Sequence, residues 1–98
     1  MTLKVFFSPE ARTDIRCSRD WLAESSQELA TRFFNDVKTT TDKIAQNPEH
    51  YAVFYRDVRK CRLNGFPHVI SYRIVEDTIQ ILAVAHGHRD PSVWIARS

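Results

Sequence analysis

Apolar and polar residues alternate in two different periods along the chain. Leu3-Lys4-Val5-Phe6-Phe7 is short, β-branched and aromatic, the composition of a strand. Ser8-Pro9-Glu10 then supplies a helix start: a serine to cap free N–H groups, a proline that fits the first turn, and a glutamate that complements the positive helix end. Ala11, Ile15, Trp21 and Leu22 mark the apolar face of a first helix predicted to end near Ser25-Ser26. Either serine can cap a second helix with Glu28 in its first turn. There Leu29, Phe33, Val37 and Ile44, with Ala30 and Phe34 beside them, form a helical stripe that Asn47-Pro48 stops.

Beyond Pro48 the period shortens to two. Segment 48–56 reads as an irregular aromatic connection, and 57–63 as a strand. Asn64-Gly65 is a turn signal, lengthened by Phe66-Pro67. His68 to Val75 is the next strand, Glu76-Asp77 its turn, and Thr78 to Ala85, apolar on both faces, an interior strand. The order β-α-α-β-β-β predicts an α+β fold, with a helical hairpin packed on one face of a small, mainly antiparallel sheet and the first strand beside a later one. No linker, repeat or low-complexity tract divides the chain, so residues 1–98 are read as a single domain.

Alternation also sorts the side chains. His68, Ile70, Tyr72 and Ile74 share one face of the middle strand, the more apolar one, and should pack on the helices. Cys61 and Leu63 take the same side in the preceding strand. Lys60, Arg62 and Arg73 are left on the open face, with Arg89 beyond the last strand in reach of the same surface.

Charge sharpens that picture. With 14 basic and 12 acidic residues the net charge is only +2, so bulk charge does not point to nucleic acid. Between Tyr55 and Arg73, however, Arg56, Arg59, Lys60, Arg62, Arg73 and a protonated His68 face only Asp57. Four open-face cations suit phosphate or an acidic protein surface. No secretory pattern follows Met1 and no apolar run approaches the ~18–20 residues of a membrane span, so a cytoplasmic protein without a membrane partner is expected. Cys17 and Cys61, with no CxxC, read as two buried reduced thiols.

The closing stretch from Ala83 to Ser98 concentrates the candidate chemistry. His86-Gly87-His88, with Cys61 or His68, matches no standard zinc spacing, so no metal and no cofactor are expected. RNA cleavage through the 2′-hydroxyl needs cations and proton-transfer groups. Lys60, Arg62, Arg73 and Arg89 can supply the first, and His68, His86 or His88 the second, with Trp94 as a stacking platform. A tryptophan at such a position is more often a tail anchor that buries its ring across the sheet edge, and Trp94 is read first in that role. No glycine-rich phosphate loop, GxSxG elbow or carboxylate pair is present. Enzyme and binder both stay open at this level.

Two stretches carry a family resemblance. His68-Val69-Ile70-Ser71-Tyr72-Arg73 resembles an HVI-x-YR strand, and Ile79 to Pro91 resembles an I-x-IL-x-V-x-H-x-x-RDP ending. Together they are similar to toxins of the RelE/ParE superfamily, from bacterial type II toxin–antitoxin modules, over nearly the whole chain. The ParE-like branch is the nearer. It implies poisoning of DNA gyrase by binding, with no catalytic residue of the toxin, neutralisation by a cognate antitoxin that wraps the helical hairpin and sheet, and a link to plasmid stabilisation. Lys60, Arg62, Arg73, Arg89 and Trp94 are then target-binding candidates. The RelE-like branch implies a ribosome-dependent messenger-RNA endoribonuclease. Lys60, Arg62 and Arg89 match its basic positions, while Val69 stands where its middle-strand arginine aligns and Trp94 where its tail tyrosine stands. A non-toxic interaction module is the remaining reading.

Overall fold

The structure is a computed structural model that describes residues 2–86. In chain order the elements are β1 (Lys4–Phe7), α1 (Pro9–Ser25), α2 (Gln27–Gln46), β2 (Val53–Tyr55), β3 (Val58–Arg62), β4 (His68–Val75) and β5 (Thr78–His86). They form one five-stranded sheet in the order β1-β5-β4-β3-β2, with β1 parallel to β5 and the other pairs antiparallel. The α+β architecture, the helical hairpin and the interior position of β5 are as the sequence predicts. One strand is additional: β2 lies inside the segment read as an irregular connection. It is three residues long, and its register against β3 shifts between Val53 and Tyr55, so it carries no alternation to read.

The helices begin as their serines dictate. The Ser8 hydroxyl accepts from the Ala11 N–H at 3.0 Å, with proline in the first turn. Ser26 closes α1 by donating its N–H to the Leu22 carbonyl, and opens α2 by accepting the Leu29 N–H at 3.3 Å. A single residue thus caps both helices and turns the hairpin.

Ala11, Ile15 and Leu22 face the core, spaced at i, i+4 and i+11. Trp21 and Cys17 fall about 100° away from that line and are exposed, Trp21 at 69%, which corrects the expectation that both were buried. The α2 stripe is deeper. Phe33, Val37 and Ile44 are buried against Leu63, Ile70, Tyr72, Ile79 and Ile81, and Ala30 is buried too, whereas Phe34 stays 48% exposed.

β5 looks apolar on both faces because its pairing slips. Tyr72 partners Ile81 and Ser71 partners Ala83, which leaves Leu82 as an extra residue. α1 secures this bulge. Ser8 donates its hydroxyl to the Leu82 carbonyl at 3.3 Å, and Asp14 accepts the Val84 N–H at 3.1 Å. A second carboxylate, Asp36 of α2, accepts the N–H groups of Asn64 and Gly65 at 3.2 and 2.7 Å and fastens the β3–β4 turn to the helical layer.

Candidate functional site

Two surfaces hold the functional candidates. The first is the sheet face opposite the helices. Lys60 pairs with Ser71 and Arg62 with Val69, while Cys61 between them pairs with Ile70 in the core, so both cations project from the open side. Both are exposed. The Lys60 ammonium lies 5.3 Å from the Phe54 ring centre, and Phe54 packs on Ala83 and Ala85. Nearby, the Arg56 guanidinium sits 5.2 Å from the Tyr55 ring.

Arg73 shares the open side, opposite Gln80, but it is committed. Its guanidinium bonds the Asp57 carboxylate at 3.1 Å and is only 22% exposed. Arg59, counted by sequence in the same basic run, turns away and donates to the carbonyls of Glu49 at 3.1 Å and Tyr51 at 2.7 Å. The structure therefore brings Lys60 and Arg62 together as exposed cations and holds Arg73 beside them in an ion pair. Arg89, Trp94 and His88 lie outside the described residues.

Beneath the sheet the titratable groups are built for structure. His68 packs its ring 4.8 Å from Phe33, on the helix side as parity predicts. Burial, followed by the neighbouring His86, depresses its pKa. Cys61 is buried and its thiol is pushed up, against a Tyr51 hydrogen bond and Lys43 that pull the other way, so the thiolate a nucleophile needs is disfavoured. Tyr72 donates its hydroxyl to the Pro48 carbonyl at 2.6 Å, and burial raises its pKa to about 12. Among the described residues no three histidine, cysteine or acidic side chains gather as a metal cluster.

The second surface is a groove of about 500 Å³ between α1 and α2, which the sequence reading placed only as "the helical hairpin". Phe7, Ile15, Phe34 and Val37 make it apolar. Arg12, Arg16 and Arg19 of α1 and Lys38 of α2 line it with positive charge. The arginines recur at i, i+4 and i+7, which was visible in sequence, but their relation to Phe7 and Lys38 exists only once the hairpin has folded onto β1.

A small α+β layer with these two faces has relatives. Residues 5–91 match the model of the ParE toxin of type II toxin–antitoxin systems. The chain is also 30% identical over 73 residues to Toxin ParE2 of Mycobacterium tuberculosis, covering 74% of this chain and 70% of that protein. The chain belongs to the ParE toxin family.

Two solved structures share the fold of this ParE-family chain. One, of the chromosomal ParDE toxin–antitoxin system of P. aeruginosa, superposes with a TM-score of 0.75 at 19% identity, covering 87% of this chain and 96% of that one. The other, the toxin–antitoxin complex RelBE2 of M. tuberculosis, gives 0.62 at 18% identity, covering 88% and 99%. No helix among the described residues is long and apolar enough to cross a membrane.

Proposed function

We propose that this ParE-family toxin arrests growth by binding DNA gyrase, and that an antitoxin neutralises it by seating an acidic amphipathic segment in the α1–α2 groove. The match of residues 5–91 to the ParE toxin model carries the first half. The open face supports binding rather than cleavage. Arg73 is tied to Asp57, Cys61 is a buried thiol held protonated, and His68 is packed under the sheet against Phe33. Lys60 and Arg62 remain to meet an acidic protein surface. The groove supports the second half, because its apolar lining and cationic rim suit one face of an acidic helix.

Expression without antitoxin tests the target. SOS induction and trapped gyrase–DNA complexes are the expected result. Codon-positioned cuts in translated messages with gyrase unaffected would overturn it in favour of a ribosome-dependent endoribonuclease acting on messenger RNA. That second reading draws on Lys60 and Arg62 standing exposed on one face. Normal growth would indicate a non-toxic interaction module.

A further inference from the structure

His68 and His86 face each other as direct partners across β4 and β5, at the end of the sheet where the described chain stops. Their ring centres are 5.9 Å apart with an interplanar angle of 62°. Nothing in their sequence spacing suggests a pair; the antiparallel register makes it. His68 stands against Phe33 and Phe66, at 4.8 and 6.3 Å between ring centres, and its Nδ1 is shut away from water with no hydrogen-bond partner. His86 is exposed and gives access from solvent.

We propose that His68 and His86 form a two-imidazole chelate for a divalent first-row transition metal of the zinc, copper or nickel class. Imidazole nitrogen selects these ions over magnesium and calcium, which take oxygen ligands. A tetrahedral metal about 2.0–2.1 Å from each nitrogen holds two imidazole centres roughly 5 Å apart; the observed 5.9 Å is within about 1 Å of that, a gap that a turn of the exposed His86 ring closes. With no third histidine, cysteine or acidic ligand gathered there among the described residues, water completes the coordination and the ion exchanges readily. A bound ion would clamp the ends of β4 and β5 together and stabilise the folded chain by mass action.

The test is calorimetric titration of the full, untagged chain with Zn²⁺ and with Ni²⁺, alongside thermal unfolding with each metal. The expected result is saturable binding of one ion per chain with a rise in Tm. His86→Gln, at an exposed position, should keep the fold and weaken binding at least tenfold; His68→Asn should do the same where it folds. His50→Gln and His88→Gln should bind as the parent does. Absence of stoichiometric binding at millimolar metal would overturn the site, as would affinity unchanged in His86→Gln or lost in His88→Gln alone.

Discussion

Tyr72 shows how much a single side chain can be asked to do in this fold. It is fully buried, fills the space between α2 and the sheet, and spends its hydroxyl on the Pro48 carbonyl just beyond the end of α2. Burial raises the phenol from an ordinary 10.0 to about 12, despite the pull of Arg59 in the other direction. The folded state therefore holds its proton more tightly than the unfolded one. The corresponding stability is fully present below about pH 10 and is lost as pH rises towards 12. Tyr72→Phe should lower stability at neutral pH by about 0.5–1.5 kcal/mol through the lost hydrogen bond. It should also flatten the alkaline part of the profile. Urea denaturation at stepped pH checks both, and a variant that loses stability above pH 10 as steeply as the parent would contradict the assignment. At this scale the sequence was informative about direction and silent about partners. Parity alone put Lys60 and Arg62 on the open side and His68 and Tyr72 beneath the sheet, but the Asp57 that occupies Arg73 and the carbonyls that occupy Arg59 depend on the β2–β3 arm.

The elements were legible wherever a period ran long enough to register. α1, α2, β3 and β4 each present an unbroken helical or alternating stretch, β5 a continuous apolar run, and their ends fall at capping serines, Asn47-Pro48, Asn64-Gly65 and Glu76-Asp77. β2 escaped because three residues with a register slip have no period. The bulge at Leu82 escaped for a related reason: an extra residue reverses the parity of β5 half-way, which in sequence looks like a strand apolar on both faces. Its supports lie far away in the chain, on α1. Asp14→Ala should leave the Val84 N–H without its partner and cost about 1–3 kcal/mol, with the amides around residues 81–85 losing hydrogen-exchange protection first. Ser26→Ala removes the hydroxyl cap of α2 while sparing the backbone cap of α1, and should cost about 0.5–2 kcal/mol. Equal loss of amide protection in the last turn of α1 and the first turn of α2 would show that the hydroxyl serves both helices.

On the scale of the whole molecule, the two faces divide the work, and the groove makes that division measurable. Arg12, Arg16, Arg19 and Lys38 sit on the helical layer, separated by the sheet from Lys60 and Arg62. Arg12 and Arg16 are exposed, so replacing them leaves the buried core of Ala11, Phe33 and Ile44 untouched. Arg12→Glu with Arg16→Glu reverses the charge along one rim of the groove. A toxin so altered should fold normally and still arrest growth, because the opposite face is unchanged, while its antitoxin, bound through acidic groups, loses affinity. A loss of at least tenfold in Kd is expected, steeper at low than at high salt because the rim charges are solvent-exposed. Paired growth assays with and without antitoxin, together with binding measured at two ionic strengths, separate the outcomes. Toxicity that escapes neutralisation places the antitoxin in the groove. Toxicity lost with neutralisation intact would instead put the growth-arresting contact on the helices, and antitoxin affinity unchanged at both salt concentrations would remove the groove from the interface.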